Sequence, residues 1–182
     1  MPRSTHDKQQ LGVIELFKQF LPIIIRGLVS EIKRRHGVHS LVSYWLQDET
    51  RWGFRTETGH KITLSGVKPQ QIKPWHYDYY YLYGLVEPVT GRSFFYEFSH
   101  FDSQSFAAYL EQFSQAYSQE IHIIQLDNAP VHTSHKLKVP SHVILLFQPP
   151  YCPELNPIER VWQHLKQQLK NLWFHNLEDL LS

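Results

Sequence analysis

The 182-residue chain has one cysteine, Cys152. That excludes an intramolecular disulfide and any zinc site built from several thiolates. Long apolar runs are also missing. The nearest candidate, Phe20 to Val29, is interrupted by Pro22 and Arg26 and falls short of the ~20 residues that a membrane-spanning helix needs. No small-residue cleavage site follows it, so it does not read as a secretory signal. Internal repeats and low-complexity tracts are absent. What is present is 42% hydrophobic, 14% aromatic and only 19% charged, a balance that excludes a disordered chain. A chain this long can bury ~70% of its unfolded surface in one core. The expectation is a cytoplasmic protein with a ring-rich core and no membrane partner.

The net charge of +1 is unevenly spread. Met1 to Trp75 carries a balance of +6, and His76 to His135 a balance of −6. A basic front followed by an acidic middle suits a chain that meets a polyanion and holds cations, although an unevenly charged surface gives the same count.

Hydrophobic spacing predicts the elements. Leu16, Phe17, Phe20, Ile24, Leu28 and Ile32 recur at helical steps within about Thr5 to His36. Pro22 is expected to end or kink this helix. Lys33, Arg34, Arg35 and His36 form a basic last turn that answers the helix dipole, and Gly37 is a stop. Leu41 to Glu49 reads as a buried strand, and Arg51 to Gln71 as a glycine-containing hairpin with loops. Tyr77 to Val86 and Arg92 to Ser99 form an antiparallel pair about the turn Glu87–Gly91. Phe106, Leu110, Phe113 and Tyr117 follow helical spacing, with Asp102 or Ser103 as cap. Ile121 to Asp127 and Val143 to Phe147 read as strands, the second lacking alternation and so expected to be buried on both faces. Asn156 to Leu172 reads as the closing helix. The order predicts a mixed α/β sheet flanked by helices.

Three acids fall at the ends of these elements. Asp48 closes the first core strand and shares a face with Leu46 and Tyr44. Asp127 closes another and shares a face with Gln125 and Ile123. Sites in open α/β sheets form outside the carboxyl ends of strands, so the two aspartates meet if their strands are neighbours. Glu159 follows a helix start, with Asn156 as cap and Pro157 in the first position. Ile158, Val161, Trp162, Leu165 and Leu169 form the apolar stripe that docks this helix. Each acid has an ordinary reading too: Asp48 as a strand-ending turn residue, Asp127-Asn128 as turn chemistry, Glu159 as one half of a capping box. Their joint order at three element ends favours convergence.

Like charges ~4 Å apart lose about 4 kcal/mol at an effective dielectric of ~20, so converging carboxylates require divalent metal to stay ionised. Hard oxygen ligands suit Mg²⁺, with Mn²⁺ as substitute. Two such ions activate a nucleophile and stabilise the leaving oxygen at a phosphodiester, the chemistry of nucleases and strand transferases. Glu49 rivals Asp48 but points to the opposite sheet face, and Glu154 rivals Glu159 but precedes the helix. Most of the twelve histidines read as surface residues. His132, five beyond Asp127, is a candidate to support that acid or to contact DNA, as are Asn128, Asn156 and Arg160.

The blocks Gln47-Asp48-Glu49-Thr50, Leu126 to Ser134 (LDNAPVHTS) and Pro149 to Trp162 (PPYCPELNPIERVW) resemble bacterial insertion-sequence transposases of the mariner-related superfamily. The likeness spans roughly Tyr44 to Leu169. It implies a ribonuclease-H-like fold, an Asp-Asp-Glu triad on Asp48, Asp127 and Glu159, Mg²⁺-dependent cleavage at element ends, strand transfer and insertion at TA dinucleotides. The DNA partners implied are terminal inverted repeats and a TA-containing target, bound by a homodimer near the bacterial nucleoid.

The sequence departs from that family in three places. Only 31 residues separate Asp127 from Glu159, a few fewer than usual. Cys152 stands where serine is common. The N-terminal helix-turn-helix that reads element ends is not recognisable. Residues 1–40 are therefore expected to be a helical linker segment and 41–182 the catalytic domain, with an upstream helix-turn-helix polypeptide as a further partner. Two other readings follow from the same residues: a truncated fragment that regulates a full transposase without catalysis, and a different nuclease of the ribonuclease-H fold.

Overall fold

The computed structural model describes residues 11–53 and 79–169. Along the chain lie helix α1 (Leu11–His36), strands β1 (Val42–Gly53), β2 (Tyr79–Val86) and β3 (Ser93–Phe98), helix α2 (Ser103–Ala116), strands β4 (Ile121–Leu126) and β5 (Val143–Phe147), a 3₁₀ turn (Pro153–Leu155) and helix α3 (Ile158–Gln168). The five strands form one sheet in the order β3-β2-β1-β4-β5. β1, β2 and β3 pair antiparallel, while β1–β4 and β4–β5 pair parallel. This is the mixed sheet flanked by helices that the element order predicts, and its topology is ribonuclease-H-like.

Strand alternation divides the core in two. One face carries Trp45, Tyr83, Leu85, Ile124 and Leu126 against Phe106, Tyr109, Leu110 and Phe113 of α2. Trp45 and Phe113 meet edge to face at 5.0 Å while Tyr83 stacks on Phe106, and burial of each large side chain stabilises by ~1.5–3 kcal/mol. The opposite face carries Tyr44, Leu46, Leu82 and Val86 against Ile158, Val161, Trp162 and Leu165 of α3. Asp102 caps α2 by accepting from Ser105 N at 2.8 Å.

Several expectations need correction. α1 runs unbroken through Pro22. The carbonyl that loses its donor is that of Lys18, on exposed surface where water can replace the missing N–H. The apolar stripe of α1 is only partly used. Ile14 and Ile32 are buried, but Leu16 and Phe20 are 54% and 46% exposed. Ile14 and Phe17 pack on Cys152 and Leu155. β5 is an edge strand with only Val143 buried, so its lack of alternation did not mean burial on both faces. Residues 5–10, most of the expected hairpin after Gly53, residues 77–78 and the end of the closing helix lie outside the described residues. No described helix is long and apolar enough to cross a membrane.

Candidate active site

The parallel pairing of β1 with β4 fixes where the first two acids stand. The ladder's last pair is Leu46↔Gln125, so Asp48 and Asp127 occupy the same level two residues further on. Both lie on the α3 face, as alternation predicts. β1 itself does not end at Asp48. It continues to Gly53 because β2 remains beside it, with Asp48↔Gly84 and Gly53↔Tyr79. Asp48 thus stands where the parallel pairing stops and the antiparallel pairing goes on, and the opening between β1 and β4 begins there.

Glu159 arrives on the first turn of α3. Asp48, Asp127 and Glu159 all line one cavity of about 420 Å³, together with Asn128, Gln148, Tyr151 and Asn156. The helix start keeps the expected cap: Asn156, in extended backbone, accepts from Ile158 N at 3.4 Å, and Pro157 after it is already helical. Asn156 is buried, and its Nδ2 donates to Gln47 O at 2.6 Å. The amide ties the start of α3 to the strand residue before Asp48, a bond more valuable in a buried place than an exposed cap. Beneath it, Gln125 accepts from the Tyr44 hydroxyl and donates to Leu155 O at 2.9 Å. Both amides lock the loop before α3 onto the strands that carry the aspartates.

Each acid has a distinct electrostatic setting. Burial and the charges of Glu159 and Glu49 push the Asp48 carboxyl well above the usual carboxylate range, against hydrogen bonds from Glu49 N and Trp162. Burial also raises Glu159, with Asp127 adding to the rise and Lys166 opposing it. Burial works the same way on Asp127, but His132 and the Ala129 N–H outweigh it and hold that carboxyl below its ordinary value.

His132 is the support that the sequence only hinted at. It is 2% exposed and packs on Phe106, with ring centroids 4.4 Å apart. Its Nδ1 donates to Asp127 Oδ1 at 2.8 Å and its Nε2 to Glu49 Oε1 at 3.1 Å. Burial works against its charge, yet the two carboxylates raise its pKa to about 9, so it is an imidazolium at neutral pH. Glu49 does point to the other face, where Gln47 Nε2 also donates to it at 2.7 Å. It nevertheless reaches the site through His132. His122, by contrast with most described histidines, is wholly buried in the core.

The remaining candidates divide. Asn128 is exposed, and its amide donates to Gln148 O, bracing the ends of β4 and β5. Arg160 is exposed beside Glu159. Glu154 sits exposed in the 3₁₀ turn. Sequence reasoning missed Trp162 as a polar partner: counted only in the apolar stripe, it donates from Nε1 to Asp48 Oδ2 at 2.9 Å. It also missed Gly84, where a Cβ would fall into the Trp162 ring. A lone glycine inside an aromatic strand was the available signal, since such a glycine marks close approach.

A ribonuclease-H-like sheet with three acids around one cavity at the end of its parallel strands defines a class of nucleic-acid-processing proteins. Comparison with known proteins narrows it. Residues 43–181 match the family model described as DDE superfamily endonuclease, and the chain belongs to that family. It is 33% identical over 104 residues to the uncharacterized protein y4pE/y4sA of Sinorhizobium fredii, covering 56% of this chain and 77% of that one. It is 40% identical over 53 residues to the transposable element Tcb2 transposase of Caenorhabditis briggsae, covering 28% of this chain and 19% of the relative. Among solved structures, the Mos1 transposase paired-end complex with the left transposon end superposes with a TM-score of 0.64 at 16% identity, over 99% of this chain and 55% of that chain. The Mos1 strand transfer complex gives 0.63 at 17% identity, again over 99% and 55%. The chain spans about half the length of the Mos1 chain on which it superposes.

Proposed function

We propose that this chain is the catalytic part of a transposase that cleaves DNA at the ends of an insertion sequence and joins those ends to a target, with Asp48, Asp127 and Glu159 as the catalytic acids. One observation carries the reading: three carboxylates from three separate elements line one cavity, and two of them are pushed up by burial and by neighbouring acids. Acids so placed are disfavoured as anions, and hard oxygen donors fit Mg²⁺ or Mn²⁺. Among the described residues no three acidic, histidine or cysteine groups already stand close enough to share an ion. The donor set therefore fits in kind, and the carboxylates have still to draw together around the cation. When bound, two such ions supply activation of an attacking hydroxyl and stabilisation of the leaving oxygen.

The chain's own residues do the rest. Asp127 is held ionised by His132 and by Ala129 N, which both donate to Oδ1. Asn156 and Gln125 fix α3, and with it Glu159, against β1 and β4. Arg160, Lys33 and Arg51 are exposed cations that suit phosphate contacts. Arg34 and Arg35 are less available, since both pair with Glu31 at 2.7 and 2.6 Å. Arg55, Lys61, Lys68 and Lys73 lie outside the described residues. The DNA partners are the terminal repeats and a TA-containing target, bound by two copies of the chain together with a separate helix-turn-helix polypeptide. Residues 1–40 serve as helical linker and 41–182 as the catalytic domain.

The test is cleavage of a pre-nicked element end with Mn²⁺. Cleavage by the unsubstituted chain, lost in Asp127→Asn, is the expected result. Binding without cleavage under these conditions would replace this reading with that of a regulatory fragment. Equal cleavage of any branched DNA would replace it with a different nuclease.

A further inference from the structure

A row of paired residues crosses the sheet at the level of the first acid. Phe95 of β3 pairs with Gly84 of β2, which pairs with Asp48 of β1. Residues paired across strands present their side chains on one face, and on this face lies α3. The indole of Trp162, 2% exposed, fills the space above Gly84. A Cβ at Gly84 would come within 2.7 Å of the indole Cζ2 and 2.8 Å of the Phe95 ring, so no larger residue fits there unless the ring moves. Phe95 closes the other side, its ring 5.7 Å from the indole at 63°. The ring so wedged donates from Nε1 to Asp48 Oδ2 at 2.9 Å.

We propose that Trp162 is a positioning residue for Asp48: its N–H holds the carboxylate turned to the cavity, and Gly84 makes room for the ring that carries it. A buried indole N–H needs an acceptor, but a backbone carbonyl would satisfy it equally well. Here the acceptor is an acid that lines the cavity with Asp127 and Glu159. One donor therefore turns the acid. The same wedge gauges the height of α3 over the sheet. Glu159 lies three residues before Trp162 on the same side of that helix, so the depth of the indole sets the reach of Glu159 toward Asp48. A phenylalanine would fill the apolar stripe alone; only the indole N–H does both.

This inference rests on the metal-binding reading of the site, and its test separates the two. Mn²⁺ affinity of the full 182-residue chain is measured without DNA, by the electron paramagnetic resonance of free Mn²⁺. Three proteins are compared: the unsubstituted chain, Trp162→Phe, and a chain with benzothienylalanine at position 162, which keeps the bicyclic shape but has sulfur in place of the N–H. The isostere guards against loss of folding in Trp162→Phe. About tenfold weaker Mn²⁺ binding by the isostere, with its melting temperature within a few degrees of the original, is the expected result. In the amide spectrum, the Trp162 indole signal should also move in Asp48→Asn. Unchanged Mn²⁺ affinity in the isostere would overturn the positioning role and leave the metal reading standing. Absence of Mn²⁺ binding by the unsubstituted chain would overturn both.

Discussion

His132 provides the countercharge of Asp127: Nδ1 lies 2.8 Å from Oδ1, on a ring that is buried and shared with Glu49. The consequence is a stability that depends on pH in a defined direction. The folded pKa of about 9 lies above the ordinary value of 6.5. The stabilisation is therefore complete below about pH 6.5 and disappears as pH rises through 9. A single group changes stability by at most ~1.4 kcal/mol per pH unit. Because Asp127 is half exposed and screened, a net loss of about 1–2 kcal/mol is expected. Urea denaturation at pH 6.5 and 9.5 measures it, and His132→Gln should flatten the difference. An equal difference in that variant would assign the pH dependence to other groups.

Glu159 stands in the first turn of α3 and lines the cavity. Its carboxyl is raised, which means that the folded state disfavours the ionised form. Glu159→Gln should therefore unfold within ~0.5 kcal/mol of the original, where a lost cap would cost about 1 kcal/mol. The same variant should lose the rise in melting temperature that Mg²⁺ or Mn²⁺ gives by mass action. A variant that is destabilised yet still responds to metal would return Glu159 to a structural role.

The buried Asn156 amide ties the start of α3 to β1. Removing it leaves the buried Gln47 carbonyl without its donor, at a cost of about 1–3 kcal/mol. Asn156→Ala should show that loss in chemical denaturation. Asn128→Ala, at an exposed position, should lose less.

Gly84→Ala should destabilise by about 1–3 kcal/mol, the usual cost of overpacking, because the added methyl enters the Trp162 ring. The double variant Gly84→Ala, Trp162→Phe should recover part of that loss, with a coupling above ~0.5 kcal/mol. Strict additivity of the two substitutions would mean that the ring does not press on this glycine.

Much of the site was legible because its geometry is local. Alternation placed Asp48 with Leu46 and Tyr44, and Glu49 on the opposite face, without knowledge of any partner strand. The proline and the spacing of apolar residues after Asn156 located the start of α3 to within one residue. The same local logic failed where a long-range partner offered more. Asn156, legible only as a cap, also donates to the Gln47 carbonyl 109 residues away. Glu49, excluded by its face, returned through a histidine that reaches around the sheet end.

Sequence alone determined the order of elements, the face of each acid and the family motifs, because strand alternation, helical periodicity and turn chemistry are set by covalent geometry within a few residues. Tertiary structure decided that β1 continues past Asp48, since β2 persists beside it after β4 has left. It also decided that α1 leaves Leu16 and Phe20 exposed, that His132 bridges two acids, and that Trp162 spends its N–H on Asp48. A buried donor takes whichever acceptor packing brings within reach, and packing between residues 114 apart follows no short-range pattern.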